Sequence, residues 1–412
     1  MARKSFATRV GQLAATTLTL LLAAAGAQSK SKTIYTFDLT HGAYPVSGLV
    51  SDGAGNLYGT ANTGGLYPTR RNPCCGTVFE FSPGTGGTWS EMTIYAFKGL
   101  SDGSNPYGTM VFRQGNLYGT ASIIGFSTVS TIFELTKGSN GTWSEKTIYT
   151  FTGSEGLANG DLSLDSEGNL YGTTQSTFSS AGEVFELSPQ SNGTWKETIP
   201  FAFTPSFPLG DPRAGVTFDC KGNLYGTTDG SATGYGGVYE LSPQSNGTWK
   251  ATALFTFPGG NAGGNPDGKL IFDANDNLYG VTSGNNQGVV FELSPGSNGT
   301  WTETVLHVFP AGVTSDGAHP QGSLVLDANG NLYGTAPAGG LGCNNASCGV
   351  VYELSPQSGG TWKETILHQF EAASDGSQPQ AGLALDSAGN LFGTTKFGGS
   401  RYGYGTAFEI TP

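Results

Sequence analysis

Glutamates recur at two fixed positions along this 412-residue sequence, and paired carboxylates are the groups that act as acid and base in glycoside hydrolysis. The first set comprises Glu80, Glu134, Glu186, Glu240, Glu292, Glu353 and Glu409, and the second Glu91, Glu145, Glu197, Glu303 and Glu364. Such a pair must lie roughly 5 to 9.5 Å apart. Equivalent residues of packed β-sheets are separated by at least about 10 Å. We therefore interpret both sets as solvated strand faces and expect no catalytic residue among them.

Histidines are the second group that could do chemistry, as metal ligands. The four histidines are His41, His307, His319 and His368. Their spacing matches no metal-ligand motif, so we predict no metal and no cofactor. His307 and His368 hold a repeated position that carries tyrosine in three other places, and we interpret them as ring-shaped fillers.

The elements that carry these residues come from a sevenfold internal repeat. The segment Asn-Leu-Tyr-Gly-Thr, with single substitutions, begins at Asn56, Asn116, Asn169, Asn223, Asn277, Asn331 and Asn390. Each repeat contains four short apolar runs bounded by Gly, Pro, Asn and Asp, which is typical of strands. Asn-Gly pairs between the last two runs favour tight antiparallel hairpins. Seven repeats of four strands predict an all-β, seven-bladed β-propeller with four antiparallel strands per blade.

The two ends of the chain predict how the ring closes. The seventh repeat stops after its third strand, at residues 406–410. Residues 33–37 resemble residues 147–151, which end a fourth strand, yet they precede the first repeat. We expect this N-terminal strand to complete the C-terminal blade. All six tryptophans start a fourth strand, and we expect them to fill the gaps between neighbouring blades.

The N-terminus has the pattern of a secretory signal peptide. Three basic residues precede an apolar run that ends in Ala25-Gly26-Ala27, so we predict a signal peptide at 1–27 and one mature domain at 28–412. Its removal changes the formal net charge from −12 to −15, because Arg3, Lys4 and Arg9 leave with it. A chain this acidic is a poor partner for nucleic acid. We expect a secreted or periplasmic monomer with no membrane span in its mature form.

The repeat resembles a known family. Gly-Asn-Leu-Tyr-Gly-Thr-Thr at residues 168–174 and Gly-Thr-Val-Phe-Glu at residues 76–80 are similar to the GloVer tandem repeat of bacterial exported proteins. The order of strands also resembles NHL-type propellers. The resemblance covers nearly the whole mature chain and implies export and a propeller fold. It brings no catalytic residues with it, and this chain does not end in the anchor segments of that family, so we expect it to be free rather than surface-attached.

Variable residues inside a constant frame are the best candidates for a binding site. A Pro-x-Gly frame, or a version one residue longer, precedes the first strand of most repeats, and its variable residue should surround the mouth of the central channel. These residues are Val46, Tyr107, Arg213, Asp267, Gln321 and Gln380. The longest loops between second and third strands add Arg70, Arg71, Lys396, Arg401, Tyr402 and Tyr404. We expect the loops of blades six, seven and one to form one basic and aromatic patch.

The five cysteines are an odd number for an exported protein. Cys343 and Cys348 flank one loop, and we predict a disulfide between them. Cys74 and Cys75 could form a vicinal disulfide or pair elsewhere, and Cys220 is expected to be unpaired.

Three functions remain open from the sequence. The first is a non-catalytic propeller that binds a glycan or an envelope protein. The second is a propeller enzyme, of the lactonase or glycan hydrolase or lyase type, for which Asp267 at the channel mouth is the hint. The third is a structural or adhesive surface protein.

Overall fold

The structure is a computed structural model that describes most of the predicted mature domain. The described residues are 29–65, 75–99, 102–123, 126–152, 155–158, 160–176, 181–231, 234–284, 288–311, 315–343 and 348–412. The predicted signal peptide, Arg70, Arg71 and Cys74 lie outside them. Among the described residues, no helix has the length and apolar character needed to cross a membrane.

Strands account for nearly all of the regular structure. The first two blades, with the strands before them, are built from β1 (Lys30–Thr36), β2 (Ala43–Pro45), β3 (Val50–Ser51), β4 (Leu57–Thr63), β5 (Thr77–Pro83), β6 (Trp89–Ala96), β7 (Val111–Arg113), β8 (Asn116–Ile123), β9 (Phe126–Lys137) and β10 (Trp143–Phe151). Blades three and four contain β11 (Ser163–Leu164), β12 (Leu170–Thr174), β13 (Glu183–Pro189), β14 (Trp195–Ala202), β15 (Leu209–Gly210), β16 (Thr217–Phe218), β17 (Leu224–Thr228), β18 (Gly230–Ser231), β19 (Gly237–Pro243) and β20 (Trp249–Thr256).

The last three blades repeat the same plan. They contain β21 (Pro266–Phe272), β22 (Leu278–Thr282), β23 (Val289–Pro295), β24 (Trp301–Val308), β25 (Gln321–Leu326), β26 (Leu332–Ala336), β27 (Val350–Pro356), β28 (Trp362–Gln369), β29 (Ala384–Leu385), β30 (Leu391–Thr395) and β31 (Thr406–Thr411). Two short 3₁₀ helices, Thr85–Gly87 and Gly260–Ala262, are the described helical segments. The predicted all-β propeller of seven four-stranded blades is confirmed.

The seventh blade is closed by the N-terminal strand. Its order is β1-β31-β30-β29, and β1 pairs antiparallel with β31 from Lys30 opposite Thr411 to Thr36 opposite Thr406. A closed ring leaves only short, protected strand edges, which explains why the first strand of the chain completes the last blade.

A half-buried aspartate fixes the turn between the first and second strands. In blade three, Asp165 Oδ1 accepts the backbone N–H of Glu167 and of Asn169, each at 2.9 Å, and Oδ2 accepts the Asn169 side-chain amide at 2.7 Å. One carboxylate thus satisfies the whole turn, which explains the recurring Asp-x-x-Gly-Asn sequence.

The core lies between the blades, where aromatic rings of one sheet meet the next sheet. The glycine of the second strand makes room for the ring of the third: a Cβ on Gly172 would lie 2.5 Å from Phe185 Cζ. The tryptophans pack on the second strand of the preceding blade, as Trp195 does on Tyr118 with ring centres 5.8 Å apart. The predicted packing role of the tryptophans is confirmed.

Candidate functional site

Seven glycines, one per blade, bring the first strands together around the central axis. They are Gly48, Gly108, Gly160, Gly215, Gly268, Gly322 and Gly382. A Cβ on Gly108 would lie 2.2 Å from the carbonyl oxygen of Gly160 in the next blade, and one on Gly268 would lie 2.3 Å from that of Gly322. Backbone therefore contacts backbone between neighbouring blades, and this close approach places the residues on either side of each glycine in one common space.

That space is a cavity of about 220 Å³ at one mouth of the axial channel. Its lining includes the variable residues of the Pro-x-Gly frame, namely Val46, Tyr107, Arg213, Asp267, Gln321 and Gln380, together with Lys396 and Asp161. The structure thus brings six sequence-predicted residues from six blades, and one from a long loop, to a single polar site.

An arginine at this mouth is held by two carboxylates. Arg213 Nη2 lies 3.1 Å from Asp211 Oδ2, and Nη1 lies 3.0 Å from Asp229 Oδ2. The guanidinium is still 55% exposed, so its remaining donors can reach a ligand. Two ion pairs fix its plane, and the cost of ordering this side chain on binding is correspondingly small.

The carboxyl of Asp267 is tuned by the same surroundings. Burial, together with the neighbouring carboxylates of Asp229 and Asp161, raises its pKa to about 6, and Arg213 opposes this shift. Partial burial raises the pKa of the Tyr107 phenol, and the nearby carboxylates of Asp267 and Asp161 act in the same direction. The mouth therefore presents the aromatic ring of Tyr107, the carboxyl of Asp267 with its raised pKa, and the guanidinium of Arg213.

The channel continues into a second cavity of about 190 Å³. Asp161 and Thr109 line both cavities, and Asp161 Oδ1 accepts the Thr109 backbone N–H at 2.6 Å. Lys269 lines the second cavity, and burial lowers its pKa while Asp161 acts in the opposite direction. The Pro-x-Gly frame missed Asp161 because it selects a residue before the glycine, whereas Asp161 follows Gly160 in the third repeat.

The predicted loop patch is only partly described. Lys396 lines the axial cavity, but Arg401 and Tyr402 are exposed elsewhere and do not line it. The placement of Tyr404 in an exposed patch is wrong: this side chain is 9% exposed and packs on Tyr44 in the core between blades seven and one. Its ring lies on the inner side of the loop, because the preceding Gly403 turns the chain inwards with φ 69°.

The cysteines occupy three environments. Cys343 and Cys348 form a disulfide with Cα atoms 6.0 Å apart. Cys75 is disulfide-bonded, and Cys220 is exposed with a free thiol. The bridge closes the loop between the second and third strands of blade six.

The interpretation of the glutamates as solvated strand faces is wrong for both sets. Glu80 is 5% exposed, and Glu134 Oε1 accepts hydrogen bonds from Asn116 at 2.8 Å and Tyr118 at 2.9 Å. The fourth-strand glutamates are half-buried, and burial raises the pKa of Glu197. Sequence alternation marks these positions as polar, but it cannot show that the next blade covers them.

A larger cavity of about 300 Å³ lies at the rim between blades seven and one. Its walls include Leu57, Trp89 and Phe392, and the Trp89 indole N–H already donates to Glu409 at 3.2 Å. It is a mostly apolar cleft between packed sheets, and the Glu409 carboxylate in its wall already accepts the Trp89 hydrogen bond. The axial cavity, although smaller, is therefore the better candidate for a binding site.

Comparison with known proteins supports the fold. The family model of the Gloeobacter/Verrucomicrobia repeat matches residues 19–185 and 211–412. No curated protein matches the chain. A crystal structure of a protein from Lactobacillus plantarum is 12% identical with a TM-score of 0.57, and the match covers 86% of this chain and 98% of that one.

Two further solved structures are similar in outline. The crystal structure of an ancestral GH74 enzyme is 13% identical with a TM-score of 0.55, and the match covers 90% of this chain and 47% of that chain. The present chain thus spans about half of that enzyme. A PQQ-bound aldose sugar dehydrogenase from Streptomyces coelicolor is 13% identical with a TM-score of 0.47, over 93% of this chain and 99% of that one. At these identities the likeness concerns the fold alone.

Proposed function

The chain belongs to the Gloeobacter/Verrucomicrobia repeat family, and from its axial cavity we propose that it is an exported, monomeric binding protein for a small, hydroxyl-rich ligand such as the end of a glycan. The observation that carries this proposal is the convergence of variable residues from different blades on one polar cavity. The rest of each repeat is nearly constant, so variation at this position changes the ligand site without changing the frame.

The side chains suit a sugar in both polarity and shape. Tyr107 presents an exposed ring on which the apolar face of a sugar can pack. The amides of Gln321 and Gln380 both donate and accept, as vicinal hydroxyls require. At about 220 Å³ the cavity is smaller than the roughly 300–1,000 Å³ of pockets for drug-sized ligands, so it fits one end of a chain rather than a long segment.

Export follows from the N-terminal pattern. The basic and then apolar residues before Ala27 support a cleaved signal peptide, which would release residues 28–412 outside the cytoplasm. Glycans of a cell envelope or of the surroundings are the ligands accessible to a protein in that location.

The test is a glycan array with the mature chain, followed by calorimetric titration of each ligand that binds. Tyr107→Ala should weaken binding at least tenfold, because it removes the ring face of the cavity. Tyr402→Ala is the matched control, since Tyr402 is also 52% exposed but does not line the cavity. It should leave the affinity unchanged.

Two outcomes would overturn the proposal. Loss of binding in Tyr402→Ala but not in Tyr107→Ala would move the site to the loop of blade seven. An array on which the intact mature chain binds no glycan would favour a structural or adhesive role.

A glycan hydrolase is the second candidate, and the raised pKa of Asp267 favours it. A carboxyl with a pKa of about 6 beside Asp161 could serve as general acid in such a reaction. Incubation with the bound glycan and measurement of released reducing ends distinguishes the two functions. Hydrolysis that Asp267→Asn abolishes while binding persists would establish the enzyme.

A further inference from the structure

Each of the seven junctions between neighbouring blades contains a ring near the end of one fourth strand and a facing position on the next. In order from β1 onwards, the rings are Tyr35, Tyr95, Tyr149, Phe201, Phe255, His307 and His368, and the facing residues are Glu91, Glu145, Glu197, Ala251, Glu303, Glu364 and Ser31. The seven junctions are thus seven natural variants of one site, in the same backbone frame.

A tyrosine junction is satisfied by its own hydroxyl. The Tyr95 hydroxyl donates to Asp102 Oδ2 at 2.8 Å and lies 3.5 Å from Glu145 Oε2. One phenol therefore links a carboxylate of the connecting loop to a carboxylate of the next blade. Such a junction needs no further group between the two acids.

At the junction of blades five and six, a histidine replaces this tyrosine. His307 Nε2 lies 3.4 Å from Asp316 Oδ2 and 3.5 Å from Glu364 Oε1, and the three ligand atoms all lie within 4.8 Å of one another. His307 Nε2 and Glu364 Oε1 are buried and have no hydrogen-bond partner among the described residues. An imidazole nitrogen and a glutamate oxygen without a hydrogen-bond partner thus face one point, beside the carboxylate of Asp316.

We propose that His307, Asp316 and Glu364 bind a divalent transition-metal ion, for which Zn²⁺ is the best fit. Ligand bonds of about 2.0–2.2 Å in a tetrahedral Zn²⁺ site place neighbouring ligand atoms roughly 3.3–3.6 Å apart, and both measured distances from His307 Nε2 fall in that range. One nitrogen and two carboxylate oxygens are a donor set that suits Zn²⁺ better than Ca²⁺ or Mg²⁺.

The electrostatics of the junction favour a cation. The carboxylates of Asp316 and Glu364 lie close together beside His307 Nε2, and a cation between them would offset the repulsion of their charges. The side chains of His307 and Glu364 are 19% and 13% exposed, so an ion can enter from the rim and keep a water in its fourth position.

The neighbouring histidine junction shows which residue makes the difference. Between blades six and seven, His368 Nε2 lies 2.9 Å from Asp375 Oδ2, which is an ordinary hydrogen-bonded distance. Ser31 stands at the strand position that Glu364 occupies one blade earlier. With only two of the three ligand types, this junction has no comparable site.

Bound metal would act as a staple between blades five and six, because the ligands come from both sheets and from the loop that joins them. An ion that binds only the folded chain raises its melting temperature in proportion to the logarithm of ion concentration. The ion would have a structural role, and ligand binding in the axial cavity would not require it.

The experiment is a titration of metal-stripped mature protein with ZnCl₂, followed by calorimetry and by metal analysis after gel filtration. We expect one Zn²⁺ per chain, and a higher melting temperature with Zn²⁺ than with MgCl₂. Glu364→Ser gives this junction the composition of the next one and should weaken Zn²⁺ binding at least tenfold. His307→Tyr, which recreates a tyrosine junction, should do the same and should fold normally.

His368→Tyr is the matched control and should leave Zn²⁺ binding and its stoichiometry unchanged. Absence of Zn²⁺ binding by the intact mature chain would overturn the proposal. So would binding that survives both Glu364→Ser and His307→Tyr, or binding that is lost in His368→Tyr, because either result places the ion elsewhere.

Discussion

The axis and the rim of this propeller use the same repeat in opposite ways. At the axis, seven first strands meet at one point, so Tyr107, Asp267 and Gln380 from three different blades line one cavity. At the rim, a residue such as Glu303 or Glu364 faces the preceding blade alone. The axis therefore combines the differences between repeats into one site, whereas the rim keeps them as separate pairwise contacts.

This comparison explains where variation changes function and where it changes stability. Substitution of a side chain that lines the axial cavity alters the surface of that cavity and leaves the packing of the blades intact. A rim substitution leaves the cavity intact but alters the contact between two sheets, where the described residues form their hydrophobic core. The three predictions below test that division, and the largest effect comes first.

Removal of β1 should have the largest effect, because it opens the ring at the rim. Deleting Lys30–Thr36 exposes the edge of β31 and removes Ile34 and Tyr35 from the core between blades seven and one. At about 1.5–3 kcal/mol for each large buried side chain, we expect the free energy of unfolding to fall by more than about 4 kcal/mol. Urea unfolding of the mature chain measures this.

A circular permutant is the control for that deletion. It begins at Phe37 and carries the deleted strand after Pro412 on a short linker, so that blade seven keeps four strands. It should recover most of the lost stability. A deletion variant as stable as the intact chain would mean that three strands suffice for blade seven.

An alanine at an axial glycine should have the next largest effect. In Gly108→Ala the new Cβ would lie 2.2 Å from the Gly160 carbonyl oxygen, so two first strands must move apart. Overpacking of this kind costs about 1–3 kcal/mol, and we expect the upper end because the contact is with backbone. Gln321→Ala changes the lining of the cavity and leaves the contacts between the first strands intact. It should lower the free energy of unfolding by less than about 0.5 kcal/mol. If the two substitutions lowered the free energy of unfolding equally, the distinction between axial glycines and cavity-lining side chains would be wrong.

The smallest effect is a pH dependence at the rim. Burial raises the pKa of Glu303 to about 7, and its Oε1 has no hydrogen-bond partner among the described residues. A carboxyl with a raised folded-state pKa costs nothing below its unfolded pKa near 4.5, and its cost grows as the pH rises to about 7. Glu303→Ala should therefore stabilise the chain by about 1–2 kcal/mol at pH 8, after allowance for solvent screening, and not at pH 4.

The facing position of blade four provides the precedent for that substitution. Ala251 opposes Phe201 there, so an alanine already occupies this site in an apolar junction. Thermal melts of the intact chain and of Glu303→Ala at the two pH values give the comparison. A stability difference that is the same at pH 4 and pH 8 would show that Glu303 does not titrate with a raised pKa.

Much of the fold could be predicted because its signals are local. Turn residues such as Asp165 and Asn169 fix hairpins within a few residues, and the sevenfold period fixes the number of blades. The spare strand at the N-terminus could be matched to the missing strand at the C-terminus from residue types alone. The variable residues of the Pro-x-Gly frame were predicted to surround the channel mouth for the same reason, since position within a blade fixes distance from the axis.

The sequence by itself determined the repeat, the strands, the closure of the ring and the residues that vary around its axis. Only the tertiary structure decided which side chains meet across blades: that Tyr404 is buried, that Asp161 lines the channel, and that His307 faces Asp316 and Glu364. The physical reason is that the alternation of residue types along a strand shows on which face of the sheet a side chain lies, but not what covers that face. In a propeller, the surface that covers each sheet belongs to a neighbouring repeat, about 50 residues away in the sequence.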